Sequence, residues 1–358
     1  MCPKDQHLNH PDLAAPFMIG QVAIRNRVVL APMSGVTDLA FRQLAWRFGA
    51  GLVVTEMVAS RELVMNRGES WARLKSTGIS PHMVQLAGRE AEWMAEAARI
   101  SEANGADIID INMGCPAKKV IGGYSGSALM RDPDHALSLI EATVKAVSVP
   151  VTVKMRLGWD HDSLNAPEIA RRAQQAGVKL VTVHGRTRMQ FYEGRADWDA
   201  IRAVREAITI PLIANGDVET KADAAEILRR SGADAVMVGR GAQGRPWHIG
   251  WLAGAEAPTT AEIADIVAEH YEAMLELYGR ESGLRHARKH LGWYLDRFAP
   301  DLIQEEKTQI MISRDPADVM RRMTAAFAHA GADAGAQGQA QCETNPTESA
   351  SSDEREAA

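Results

Sequence analysis

The chain has 358 residues, 46% of them hydrophobic, which suits one large domain with a substantial core and a smaller second one. The net charge of −6 argues against a generally basic nucleic-acid binder, although residues 329–358 hold six acids and one base, net −5, leaving −1 on residues 1–328. No apolar run reaches the roughly 18 residues of a membrane span, no basic-then-apolar leader opens the chain, and the three cysteines (Cys2, Cys115, Cys342) suggest no disulfide framework, so a reduced, cytoplasmic setting is expected.

In chain order, eight β-rich runs alternate with helical stretches: 27–33, 51–57, 82–88, 106–114, 149–158, 179–185, 210–216 and 233–241. Most are nearly continuous in Val, Ile and Leu, as strands buried on both faces should be. The segments between them, such as "REAEWMAEAARISEANG", read as helices, and several stop at Gly, a common C-terminal signal. Eight strands, most separated by a helix, predict a (β/α)8 TIM barrel over residues 16–255. A doubly wound open sheet is the competitor, but it normally has fewer strands and a G-x-G-x-x-G after the first, which is absent here. Residues 258–328 turn to helical sequence without clear strands and predict a C-terminal all-helical domain. Residues 329–358 have almost no large apolar side chains and predict a disordered acidic tail.

Such a barrel keeps its active site at the C-terminal ends of its strands. The first run ends in Ala31-Pro32-Met33, the third carries Gln85, and the fourth ends in Asn112 and a Gly114-Cys115-Pro116 turn. The fifth carries Lys154 and Arg156, two apart and so on one face. The sixth ends in His184, the seventh in Asn215-Gly216-Asp217 and the eighth in Gly239-Arg240-Gly241. Polar groups that interrupt buried strands are costly unless satisfied. Any one alone would be read as structural; their repetition at one end marks a site. The loops after the seventh and eighth strands of such barrels commonly bind phosphate, and the glycines here allow close backbone approach, with Arg240 as charge partner. Lys154, His184 and Gln85 then suit hydrogen bonding to a flavin ring, a nearby cation stabilising its reduced form. The plainer readings are a core ion pair for Lys154, a satisfied core histidine for His184 and a small packed residue for Cys115. No His, Cys and Asp cluster has convincing metal spacing, and neither a P-loop nor a GxSxG elbow occurs.

Taken together, "APMSGVTDLAFR", "QLAG", "DINMGCPAKKV…GSALM", "VKMRLGW", "VHGRTR", "IANGDV" and "VGRGAQGRPW" resemble the tRNA-dihydrouridine synthases, and "ARKHLGWYL" is similar to the bacterial B-type group. The resemblance covers roughly residues 16–300 and is most specific around Cys115. It implies bound FMN, NADPH as its reductant, and reduction of a uridine base in tRNA. By this resemblance Pro32 and Met33 pack against the flavin with Ser34 beside them, Gln85 and Lys154 bond its ring, and His184 sits next to it. Asn215, Gly216, Asp217, Gly239 and Arg240 match the positions at the phosphate end. Asn112 and Arg156 match those contacting the target uracil, and Tyr192 falls where an aromatic ring meets the base. Cys115 matches the catalytic acid, giving a proton to C5 of uracil while hydride arrives at C6. A free thiol, with a pKa of about 8.5, is mostly protonated at neutral pH and suits that role. A nucleophilic Cys would need an activating base, and none is evident in the sequence. A thiol presented on a stiff turn also fits placement over a flipped-out base.

In the helical part, Arg285, Arg288 and Lys289 share a face at i, i+3, i+4 spacing, away from Leu284, Leu291, Tyr294 and Phe298. A basic stripe opposite an apolar one fits a helix docked on the barrel and facing tRNA phosphates. Lys118 and Lys119 add charge near the mouth. A monomer is expected. Two other readings are a flavin barrel acting on a free pyrimidine, as dihydroorotate dehydrogenases do, and an RNA-binding protein that has kept the barrel without catalysis. The basic helical domain disfavours the first, and the intact Cys115, Lys154 and His184 disfavour the second.

Overall fold

Buried β-branched runs can satisfy their backbone only against one another, and here they do so in parallel and nearly in chain order. The computed structural model describes residues 11–122 and 124–328, except for the side chains of Lys118 and Lys119. Cys2, Cys342 and the 329–358 segment read above as a tail lie outside the described residues. The strands are β1 (Phe17–Ile19), β2 (Val22–Ile24), β3 (Val28–Leu30), β4 (Leu52–Val53), β5 (Val58–Ala59) and β6 (Met83–Ala87). They continue with β7 (Ile108–Met113), β8 (Val151–Arg156), β9 (Leu180–His184), β10 (Leu212–Asn215) and β11 (Ala235–Val238). The main sheet runs β4-β3-β11-β10-β9-β8-β7-β6-β5, and its pairs are parallel.

The two ends of that sheet belong to one stretch of chain. β4 pairs with β3, the bridge Val54↔Met83 carries the same stretch across to β6, and β5 continues along β6. The ring is therefore closed, a (β/α)8 barrel whose second strand is split. The β-rich run predicts one strand at 51–57; the structure breaks it at 55–57 and extends it to Ala59. The break has a cause. Glu56 turns aside to accept the backbone N–H of Gly35, and Met57 turns into the cavity at the barrel mouth.

The β1–β2 hairpin has no counterpart among the predicted elements. It pairs antiparallel, Phe17 opposite Ile24, around Gly20 at φ 59°. Phe17, Ile19 and Ile24 pack with Leu52, Ile108, Leu180 and Ala235, the first residues of four barrel strands, and so plug the N-terminal end. The surrounding helices bury a second, larger core of mostly Val, Ile, Leu and Ala.

The C-terminal domain begins with helices Thr260–Tyr278 and Arg280–Phe298, joined at Gly279. Thr259 caps the first by a reciprocal pairing with Glu262. Ile263, Ile266, Val267, His270, Tyr271 and Met274 recur at helical spacing and are buried with Leu284, Ala287, Leu291, Tyr294 and Leu295 of the second. Helix Gln304–Ile312 and helical residues 316–328 complete the domain. Its core takes in Ala40 and Trp247 of the barrel.

Helix Arg280–Phe298 also reaches two barrel loops. Lys289 Nζ lies against Gly35, where an added Cβ would stand 2.9 Å away. Arg297 Nε donates to Gln243 O at 2.6 Å. Gly244, at φ 69°, sits so close to Trp293 that a Cβ would meet its carbonyl oxygen at 2.6 Å. Only glycine fits there.

Candidate active site

The C-terminal strand ends enclose a cavity of about 540 Å³. It brings together Pro32, Met33, Ser34, Gln85, Asn112, Cys115, Lys154, Arg156, His184, Tyr192, Asn215, Gly216, Asp217, Gly239 and Arg240. Arg285, Arg288 and Lys289 are not in its lining. Arg285 is exposed and near Glu281 at 3.4 Å, Arg288 is half-buried, and exposed Lys289 stands over the β3 loop.

Strand β7 builds the floor. Asp110 and Asn112 alternate with isoleucines and so point to one face. The buried Asp110 carboxylate accepts from Gln85 Nε2 at 2.7 Å and from Thr152 Oγ1 at 2.6 Å. Gln85 Oε1 accepts from Asn112 Nδ2 at 2.6 Å. Asn112 Oδ1 in turn accepts the backbone N–H groups of Gly114 at 3.1 Å and Cys115 at 3.0 Å. The Cys115 carbonyl is tied as well, by Ser127 N at 3.0 Å and Ser127 Oγ at 2.9 Å. Cys115 is thus half-buried on a turn fixed from both sides. Burial pushes the Asp110 carboxyl up, against the bonds from Gln85 and Thr152 and the charge of Lys154.

Strand β8 supplies the cations. Lys154 Nζ donates to Asn215 Oδ1 at 3.2 Å, and Asn215 is oriented by its own Nδ2 bond to Met237 O at 2.8 Å. Burial, then the neighbouring Arg156, lowers the Lys154 ammonium to about 8. Arg156, almost fully buried, donates to Gly114 O at 2.9 Å, Thr187 O at 2.7 Å and Phe191 O at 2.8 Å. It therefore ties the thiol turn to the loop after β9.

His184 is buried among charges of one sign. Burial, then Arg156, Lys154, Arg186 and Arg240, holds its ring well below the usual histidine range, so the imidazole is neutral. Arg186 Nη1 approaches His184 Nε2 at 3.4 Å and has only hydrogens to offer, so this nitrogen faces it with its lone pair. The same arginine holds Asp217 with two bonds, 2.8 and 2.6 Å. Asp217 also accepts from Ala196 N at 2.8 Å and Arg240 Nη2 at 2.9 Å. Burial alone would raise the Asp217 carboxyl, but these bonds and the two arginines hold it below its ordinary value. Its backbone sits at φ 55°, a left-handed conformation that costs a non-glycine residue energy and persists here because four bonds hold the side chain. Tyr192, 54% exposed, lies at the rim with the Arg156 and Arg240 guanidinium carbons 5.6 and 5.3 Å from its ring centre.

A flavin mononucleotide fits this lining. Lys154, Arg156 and Arg240 line it beside the carboxylates of Asp217 and Glu219, and these cations suit a phosphate and an anionic reduced ring. Gly239 keeps room for such a ligand: a Cβ there would project to within 3.5 Å of Met33 Sδ and 3.6 Å of Ala31 Cβ, both part of the cavity wall. Sequence reasoning missed Asp110, Arg186, Phe191, Met57 and Gln243. Asp110 carried a signal, a carboxylate inside "ADIIDIN" two residues from Asn112. Arg186 carried less, since nothing local says that a surface-like "GRTR" folds inward.

Residues 29–330 match the family model described as Dihydrouridine synthase (Dus). The chain is 75% identical over 302 residues to a probable tRNA-dihydrouridine synthase of Rhizobium leguminosarum bv. phaseoli, covering 84% of this chain and 95% of that one. It is 49% identical to tRNA-dihydrouridine synthase B of Xanthomonas axonopodis pv. citri, covering 78% and 86%. Among solved structures, TcOYE with pHBA aligns with a TM-score of 0.53 at 14% identity, over 73% of this chain and 98% of that one. Histamine dehydrogenase from Rhizobium sp. 4-9 aligns with a TM-score of 0.54 at 12% identity, over 89% and 64%. These two likenesses are of fold. The match to the family model, the identities to its named members and the thiol turn at the barrel mouth agree: the chain belongs to the dihydrouridine synthase family and is of the bacterial B type.

Proposed function

We propose that the protein reduces the C5=C6 bond of specific uridines in tRNA to 5,6-dihydrouridine, using bound FMN and NADPH as reductant. The observation that carries this reading is the Cys115 turn, fixed through Asn112 and Ser127 at the edge of a cavity that Lys154, Arg156 and Arg240 line and that fits a flavin. FMN, when bound, supplies the two-electron reduction at C6. The chain's own residues do the rest. Cys115 gives its thiol proton to C5, is left as thiolate, and regains a proton from solvent. Lys154 and the neutral His184 line the ring site, Pro32, Met33 and Ser34 form its wall, and Arg240 with Gly216 and Gly239 frames the phosphate end. Arg156 braces the thiol turn while its ring neighbour Tyr192 stays exposed to meet a base. Arg285 and Lys289 face outward on the helix beside the mouth, where phosphates of an RNA would pass.

Among the described residues no helix is long and apolar enough to cross a membrane, and no group of three His, Cys, Asp or Glu is placed to hold a metal ion. Mapping dihydrouridine position by position in tRNA from a strain lacking the gene tests the proposal. One or more positions should revert to uridine and be restored by the gene. An unchanged map would refute it.

A further inference from the structure

The floor of the cavity has a direction. Asp110 receives Gln85 Nε2, Gln85 Oε1 receives Asn112 Nδ2, and Asn112 Oδ1 receives two backbone N–H groups of the thiol turn. One end of this relay is a carboxylate that accepts; the other is backbone that can only donate. Between those ends the two amides have a single orientation in which no acceptor faces an acceptor. Each amide then has one N–H outside the relay, and both side chains line the cavity. Lys154 Nζ, held by Asn215 Oδ1, adds further donors. At Asn112, Gln85 and Lys154 the polar floor therefore has hydrogens to offer.

We infer that Asp110 is a positioning residue that holds Gln85 in the one orientation the turn-bound Asn112 can meet, so that this polarity is kept and the base edge lying over Asn112 must present a carbonyl oxygen and not an amino group. Uracil meets that condition at C4, where cytosine carries an amine. The inference rests on the proposed function in naming uracil as the base, and on the family resemblance in placing it over Asn112. Asp110 is buried beneath the cavity and not in its lining; it acts through Gln85 and Asn112. Discrimination of this kind is strong because the wrong group sets donor against donor in a site shielded from water.

The relay can be reversed without being broken. Asn112→Asp alone keeps the bonds to Gly114 and Cys115 but turns a second oxygen toward Gln85 Oε1. Gln85 must then turn its own oxygen toward one of two carboxylates, the native one at position 110 or the introduced one at position 112. Adding Asp110→Asn removes the conflict. The introduced amide at position 110 donates to Gln85 Oε1 and accepts from Thr152. Gln85 Nε2 then donates to the carboxylate at position 112, and the net charge is that of the wild type.

The test compares wild type, Asn112→Asp and the double variant at pH 8, as flavin-loaded protein. It measures melting temperature and single-turnover reduction of tRNA. It also measures binding of two transcripts that differ only in uridine or cytidine at the mapped position. The single variant should melt lower, and the double should return to within ~2 °C of wild type. Uridine reduction should stay down at least ~10²-fold in the double, the loss typical of one misplaced donor. The preference for the uridine transcript should shrink or reverse. Recovery of turnover together with stability would overturn the inference, because the relay would then be only structural. Failure of the double to regain stability would also overturn it. If wild type itself reduces no tRNA uridine, the proposed function fails instead, and the melting comparison alone still tests the relay.

Discussion

Cys115→Ala separates the chemistry from the architecture. Both backbone anchors of the turn survive it: the N–H at position 115 still meets Asn112 Oδ1 at 3.0 Å, and the carbonyl still receives Ser127 at 2.9 and 3.0 Å. The side chain removed is small and only half-buried, so the stability cost should stay under ~1 kcal/mol. Loss of a positioned general acid costs ~10²–10⁴-fold, or roughly 3–5 kcal/mol of barrier. The two magnitudes differ enough for one variant to decide. Flavin occupancy and reduction by NADPH should match wild type, since neither uses the thiol. Reoxidation of the reduced flavin by unmodified tRNA, followed by stopped-flow absorbance, should slow by the full factor. Cys115→Ser should recover little, because a hydroxyl is a far weaker acid. Wild-type reoxidation by the Ala variant would refute the assignment of Cys115 as proton donor. A melting temperature lowered by many degrees would refute the account of the turn.

Three further outcomes follow from other parts of the molecule. Gly239→Val should fill the space between Met33 and Ala31 and lower flavin occupancy with little change in melting temperature of the flavin-free protein; equal flavin affinity by fluorescence titration would exclude Gly239 from the cofactor wall. Replacing Arg285, Arg288 and Lys289 with Ala should weaken tRNA binding and flatten its log–log salt dependence by about one unit for each phosphate no longer neutralised, while NADPH oxidation by the flavin persists; unchanged affinity across salt concentrations would remove the helix from the RNA interface. Burial lowers His82 to about 4 and His248 and His270 to about 3 in the folded state, whereas the unfolded chain titrates them near 6.5. The unfolded state therefore binds more protons below that pH, and stability complete above ~6.5 should fall on acidification by up to ~1.4 kcal/mol per pH unit for each histidine. A urea midpoint that stays flat from about pH 6.5 to about 4.5 would contradict their burial as neutral rings.

How much is legible in the sequence depends on whether the signal is local. Lys154 and Arg156 can be placed on one face because strand periodicity needs no tertiary knowledge. The eight barrel runs are readable for the same reason, being continuous in β-branched residues. The β1–β2 hairpin is not, since three-residue strands are too short to show alternation. The break at 55–57 is hidden because its cause, Glu56 bonding to Gly35, lies 21 residues away in the chain. Arg186 and Asp217 form a pair across 31 residues, and neither "GRTR" nor "NGD" says that the two will meet. Asp110 can be found, as a charge inside an apolar run is itself a question. The family resemblance makes Arg156 a contact for the base; the structure shows three of its bonds going to backbone carbonyls, a demand that only the folded loops create.

The seam along helix Arg280–Phe298 bears on how such a molecule can be altered. The face of this helix that carries Lys289 stands over the loop of Pro32, Met33 and Ser34, and its far end holds Gln243 and Gly244 beside the Gly239-Arg240 loop. A helical domain transplanted from a relative with different RNA preference would therefore arrive with its own backbone path at the position of Trp293 and its own partner for Gln243 O. Unless the two barrel loops travel with it, the graft would shift the walls of the cavity at the barrel mouth. The natural unit of exchange is thus not the helical domain of residues 258–328 alone. It is the domain together with the segments around Gly35 and Gly244, which are distant in the chain and contiguous in space.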